Sequence, residues 1–371
     1  MLNNLSFYKW WKNIDRIILS FIITFLLIGL FFSLVSTSFI ASDKLDTNSY
    51  FFFFKHLIFV LLGLIIIFII SFLETKILYR FSIYIFFLTL ILLILVPFIG
   101  IEVKGSKRWI DIFFFPRIQP IEFVKPFYII MLALIISNKN LPNFSLKFIF
   151  SLLLTLLIVS LLIIQPDLGQ TLLITFSWIT LIFVSGINLI FLMSITTLAI
   201  VFLLYVTFFI PKFEYIKNRI LSFFNSETGT HNFQSDKAIE SITSGGFFGK
   251  GIGEGTLKNN VPEAHTDYII SVISEEFGVI VIMIILLIFL ALIYYIFKKV
   301  ENETDDTARL ILIGSASLIL LQAMIHIGVN IRLFPTTGMT LPFLSYGGSS
   351  IISISIFSGI ILNLTKRKVE L

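Results

Sequence analysis

DYIISVISEEFGVIVIMIILLIFLALIYYIFKK, Asp267 to Lys299, decides the fold. Its second part, Val279 to Phe297, is an uncharged apolar run close to the roughly 20 residues that a helix needs to cross about 30 Å of hydrocarbon. Its first part carries Asp267, Glu275 and Glu276, although a carboxylate at membrane depth costs about 3 kcal/mol or more. The rest of the chain is of the same apolar kind. Over 371 residues it is 57% hydrophobic and only 13% charged, with a mean hydropathy of +1.00, which no soluble domain approaches. Barrel strands would alternate in segments of about ten residues, and these runs are continuous. The chain is therefore read as an all-α integral membrane protein.

Apolar runs place ten transmembrane helices at about 17–41, 50–72, 81–100, 121–137, 146–164, 170–186, 189–210, 268–297, 309–330 and 349–365, in one polytopic domain. The first run is too long for the core of a cleaved signal peptide and is read as a retained span. An even number of spans puts both termini on one side. With the N-terminus cytoplasmic, thirteen Lys and Arg fall inside: Lys9, Lys12, Arg16, Lys76, Arg80, Lys139, Lys147, Lys298, Lys299, Arg309, Lys366, Arg367 and Lys368. The short outer loops hold six, namely Lys44, Lys104, Lys107, Arg108, Arg117 and Arg332, and the long outer loop 211–267 holds six more. Long translocated loops are exempt from the positive-inside rule, so the bias supports this orientation. The cluster at 104–117 breaks the rule locally, as a site for an anionic ligand outside the membrane would.

The absence of Cys excludes disulfides, thiolate metal sites and a Cys nucleophile. The net charge of +5 is accounted for by cytoplasmic loops, which leaves no reason to expect nucleic-acid binding. No paired, interrupted helices mark inverted transporter repeats. SGGFFGKGIGEG, Ser244 to Gly255, is not a phosphate loop, because no Ser or Thr follows its Lys and no strand precedes it; its glycines allow tight turns, with Phe247 and Phe248 dipping into the membrane interface.

Four motifs fall on the outer side. GSKRWIDIFFFPRIQPIEFVK, Gly105 to Lys125, offers Lys107, Arg108 and Arg117 with Trp109 beside them; Glu122 and Lys125, three apart at a helix head, can pair. A snorkelling cationic belt is the plainer reading of that loop. In QPDLGQ, Gln165 to Gln170, Asp167 can cap the next helix. In AHTDYIISVISEE, a helix starting near Asp267 aligns Asp267, Ser271, Ser274, Glu275 and Gly278, with Glu275 below Asp267 in a cavity and Glu276 bound structurally, by a backbone donor or a basic residue. His265 and Asp267 are too few to define a metal site. RLFPTTGMTLPFLSYGGSS, Arg332 to Ser350, holds irregular backbone that protein or a water-filled cavity must enclose. These parts suit a lipid-linked phosphate substrate without selecting its chemistry over transport.

The motifs GSKRWI with QPIEFVK, QPDLGQ, EAHTDYIISVISEEFG and TLPFLSYGGSS resemble, in order and spacing, those of the SEDS family, the shape, elongation, division and sporulation proteins. The likeness covers the whole chain and is greater to the division branch than to the elongation branch. It implies a peptidoglycan glycosyltransferase that polymerises lipid II at the outer face of the cytoplasmic (inner) membrane, at the septum, with a class B penicillin-binding transpeptidase and other divisome membrane proteins. It implies Asp267 as the general base, and Arg108, Trp109, Glu122 and Lys125 as motif residues. Lys107, Gln119, Gln165, Asp167, His265, Ser271, Glu275, Ser345 and Gly347 complete the expected substrate-binding set. A divalent cation, Mg or Mn, is an open question, with Asp267 as its ligand. Ile121, in place of the usual Ser, and His326, where Asn is common, depart from the pattern. A lipid II flippase and a non-catalytic scaffold are the rival readings.

Overall fold

The computed structural model describes residues 2–37, 50–103, 106–112, 115–141, 144–209 and 233–366, with isolated positions between 214 and 223. Lys44, Lys104, Arg367 and Lys368, counted above in the charge bias, lie outside the described residues.

The described helices are α1 Leu2–Asn13, α2 Arg16–Phe32, α3 Phe51–Phe72, α4 Thr75–Ile99, α5 Pro120–Ser137, α6 Phe144–Ile164, α7 Leu168–Val184, α8 Leu189–Phe209, α9 Phe233–Gly245, α10 Ile269–Glu301, α11 Asp306–Asn330 and α12 Gly348–Leu364. Among the described residues, an apolar helix stands at each of the ten expected positions, and the protein is an all-α, multi-pass membrane protein. Seven of them combine the length and apolarity needed to cross a membrane; α7 and α12 have 17 residues each. The helix α4 begins six residues before the expected start, because Lys76 and Arg80 can extend their charges outward from a helix whose stem remains apolar.

Three elements were not legible in the hydropathy. The basic, aromatic N-terminal segment forms α1, fastened where Trp10 Nε1 donates to Ser71 Oγ at the end of α3, 3.0 Å away. The polar helix α9 lies within the long loop. The cationic loop folds as an antiparallel meander of β1 Ile101–Val103, β2 Ser106–Ile112 and β3 Phe115–Ile118.

The centre of the bundle is made by α5, α11 and α12, most of whose side chains are buried. Small residues let α3 and α12 approach closely: a Cβ on Gly63 would stand 2.3 Å from Ser355 Oγ. At the opposite end to the loops, Lys299 Nζ meets Asp15 at 2.6 Å and ties α10 to the cap of α2.

The three acids of the opening stretch are explained by a break in α10. Gly278 has φ +82° and ψ 170°, outside helical values. The glycine-rich segment enters at this break: Lys250 N and Gly251 N donate to Glu275 O and Glu276 O at 2.9 and 3.0 Å, and Val279 N donates to Gly246 O at 3.0 Å. The remainder, Val279–Glu301, has 23 residues and a length of about 34 Å at 1.5 Å per residue, enough to span by itself. Glu275 and Glu276 therefore sit above that span, enclosed by protein and not by lipid. Ser241 Oγ and Leu257 N donate to Glu275 at 2.9 Å each, and Gly253 N donates to Glu276 at 3.1 Å. A Cβ on Gly278 would lie 2.1 Å from Phe247 O. Gly278→Val is expected to cost at least about 2 kcal/mol through positive-φ strain alone and to release residues 246–251 to protease. Unaltered melting and unaltered protease protection in detergent would contradict this account of the break.

Candidate active site

Element termini converge on one end of the bundle around a cavity of about 1090 Å³. Its walls come from the start of α3, from β2 and β3, from the heads of α5, α7 and α12, from the end of α6, and from the turn before α10. Irregular backbone at 336–340 closes it, as expected for a segment that lines a cavity.

Alternation along β2 turns Lys107 and Asp111 to solvent and sets Arg108 and Ile110 toward the helices. Arg108 grips the turn before α7. Its Nε donates to Gln165 O at 3.3 Å, its Nη2 donates to Pro166 O, and its Nη1 lies 3.7 Å from Asp167 Oδ1. Asp167 caps α7 through Gln170 N at 3.4 Å and also accepts from Gln119 Nε2 at 3.4 Å. Burial pushes the Asp167 carboxyl above its usual pKa, while the Arg108 charge and the Gln170 amide pull the other way. Gln165 is buried and donates from Nε2 to Leu93 O at 3.1 Å. Gln165 and Asp167 therefore shape the site from behind and do not line the cavity.

Beneath lies a buried polar network. Lys125 Nζ is 2.8 Å from Glu122 and 3.0 Å from Gln322 Oε1, and Gln170 Nε2 donates to Glu122 Oε1 at 2.8 Å. The i,i+3 pairing of Glu122 with Lys125 is thus formed, but Lys125, 1% exposed, does not face the cavity. Neither does Lys107. Of these two lysines expected to bind substrate, Lys107 is exposed on β2 and Lys125 is buried in the network, and neither lines the cavity.

Asp267 lies in a turn, not on a helix, since α10 begins two residues later. Glu263, at φ +52°, starts the turn and accepts at its carbonyl from Asp267 N at 3.1 Å. The segment between α11 and α12, with the end of α11, holds the turn from the other side. Asn330 Nδ2 donates to Asp267 O at 3.0 Å, Ser345 Oγ to Thr266 O at 2.7 Å, and Tyr346 N to His265 O at 3.0 Å. The Asp267 side chain lines the cavity beside Gly338, whose hypothetical Cβ would stand 3.6 Å from Asp267 Oδ2.

Four further residues expected to bind substrate lie off the cavity. Ser345 braces the turn from a buried position, and His265 packs against Phe52 and Tyr346 with tilted rings, centroids 5.3 and 5.8 Å away. Ser271 donates to Tyr268 O at 2.7 Å, and Glu275 belongs to the loop network above the span. None of the four lines the cavity; Ser271 and Glu275 do not, because Asp267 precedes the helix and so shares no helical face with them. Arg108, Trp109, Gln119, Glu122, Asp267 and Gly347 do line it, joined by Arg117 of the cationic cluster and by Lys55, Glu263 and Gln170, which no motif had assigned to binding. Among the described residues, no three His, Asp or Glu side chains gather as metal ligands.

The model for the FtsW, RodA and SpoVE cell cycle proteins matches residues 15–370. The chain belongs to that family. It is 32% identical over 365 residues to a protein named probable peptidoglycan glycosyltransferase FtsW from Caulobacter vibrioides, covering 97% of this chain and 91% of the relative. To a protein of the same name from Trichlorobacter lovleyi it is 34% identical over 360 residues, covering 95% and 93%. A chain from a peptidoglycan synthase complex, solved for the coordination of polymerization and crosslinking, superposes with a TM-score of 0.78 at 25% identity, covering 95% of this chain and 97% of that one. This member accommodates its two departures from the family motif. Ile121 is buried in the core, and His326 Nδ1 donates to Met339 O at 2.7 Å.

Proposed function

We propose that the protein is a peptidoglycan glycosyltransferase that polymerises lipid II at the outer face of the cytoplasmic membrane during division. The observation that carries the reading is the carboxylate of Asp267, held at its backbone on both sides and presented to a cavity that also holds cations and an aromatic ring, in a chain whose relatives bear that enzyme name. Asp267 takes the proton of the acceptor sugar 4-hydroxyl as its oxygen attacks the anomeric carbon of the donor. The bond from that carbon to the diphosphate oxygen breaks, the electron pair leaves with undecaprenyl pyrophosphate, and the anomeric centre inverts. Arg108 and Gln119 hold the turn of Asp167 and so shape the wall opposite, and Trp109 offers a face for a sugar ring.

Were a divalent cation, Mg or Mn, to take part, Asp267 is the residue that would hold it, and the ion would supply charge neutralisation for the departing diphosphate. A class B penicillin-binding transpeptidase is the partner we assign, in line with the synthase complex that superposes on this chain, and the septum is the place of action. The purified protein with that transpeptidase, given labelled lipid II in proteoliposomes, is expected to produce glycan polymer. Transbilayer movement of a fluorescent lipid II without polymer would favour a flippase instead.

A further inference from the structure

The proposed reaction needs a cation for the diphosphate, and neither Lys107 nor Lys125 reaches the cavity. Among the described residues, the cations that line it are Lys55, Arg108 and Arg117. Arg108 already spends its fork on Gln165 O, Pro166 O and Asp167. Arg117, on the edge strand β3, is 61% exposed and lies 3.8 Å from Asp111.

Lys55 is different. It stands in the second turn of α3, and among the described residues no carboxylate lies within ion-pair distance of it. Its ammonium rests over the Phe51 ring, 4.2 Å from the centroid. An aromatic face attracts a cation weakly and leaves its N–H donors available for an anionic oxygen. Phe59 follows four residues later, one turn deeper on the same face of α3, and lines the same cavity. Its position is fixed by contact with Gly348, where a Cβ would fall 2.4 Å from the ring. Thus α3 offers a positive charge above an apolar ring, the order in which a diphosphate sits on a hydrocarbon tail. Ile163 and Ile164, at the end of α6, add apolar surface to the cavity.

The geometry points to Lys55 as the residue that takes the diphosphate of a polyprenyl-diphosphate substrate, with Phe59 against the first isoprene units. This assignment rests on the polymerase reading above and names the substrate contact within it. Lys supplies a compact charge with three donors, suited to phosphate oxygens.

The test uses the full chain with its transpeptidase in nanodiscs, as wild type, Lys55→Gln and Lys55→Arg. Lys55 is exposed, so folding is expected to survive its replacement, and equal melting temperatures check this. Loss of one charge-assisted hydrogen bond is expected to raise the KM for lipid II about tenfold, with kcat within about twofold, and Lys55→Arg is expected to restore most of it. Undecaprenyl pyrophosphate should displace a fluorescent lipid II from wild type about tenfold more readily than from Lys55→Gln, while undecaprenol shows no such difference. An unchanged KM with equal displacement, or a loss confined to kcat, overturns the assignment. Displacement needs no turnover, so a wild-type protein that binds but makes no polymer would sink the polymerase reading and leave the Lys55 contact decided by binding alone.

Discussion

Lys125→Met is expected to destabilise the protein by about 3–5 kcal/mol, the loss seen when one partner of a buried ion pair is removed. Lys125 and Glu122 are both nearly inaccessible, at 1% and 3% exposure. Without Lys125, the Glu122 carboxylate keeps Gln170 as a donor but loses its counter-charge, and Gln322 loses the donor to its Oε1. Gln322 in turn donates to Thr340 O at 3.0 Å, so the loss reaches the segment that carries Gly338 and faces Asp267. The double variant Glu122→Gln with Lys125→Met removes the orphaned charge and should recover much of the stability. Thermal unfolding of the four proteins in one detergent checks this; equal losses in the single and double variants would show that the pair is not coupled.

Asp267→Asn is expected to lower the polymerisation rate by about 10²–10⁴-fold, the range supplied by a positioned general base. The substitution keeps the shape and the backbone bonds to Glu263 O and from Asn330 Nδ2, so membrane insertion and melting should be unchanged. Asp267→Glu retains the charge but moves the carboxylate by one methylene. It is expected to recover little, since the transfer depends on placement within about 1 Å. Binding of lipid II should survive both changes, because the cations and apolar wall are untouched.

The fold was legible where hydropathy decides it. Ten apolar runs became apolar helices, the i,i+3 spacing of Glu122 and Lys125 became an ion pair, and Asp167 after a proline became a cap. Glu276 found the backbone donor that its offset from Glu275 required. The break at Gly278 was hidden because apolar residues continue across it, and the cause lies in backbone bonds from a loop some 30 residues upstream. The helix was started near Asp267, two residues before α10 begins, so Ser271 and Glu275 were aligned with a residue that lies in a turn. The meander at 101–118 escaped because β1 and β3 hold only 3 and 4 residues and β2, SKRWIDI, sets two cations side by side without a strict apolar alternation. Lys55 and Glu263 entered the cavity wall through tertiary packing, which no local pattern in the sequence announces.

One carboxylate at the cavity, that of Asp267, is proposed to perform the proton transfer of glycan polymerisation. The most direct measurement is the initial rate of polymer formation from labelled lipid II by wild type and Asp267→Asn, each reconstituted with the transpeptidase and matched for bound lipid II. Equal binding and a rate at least about 10²-fold lower in the variant are expected. Polymer formed by Asp267→Asn at the wild-type rate would contradict it.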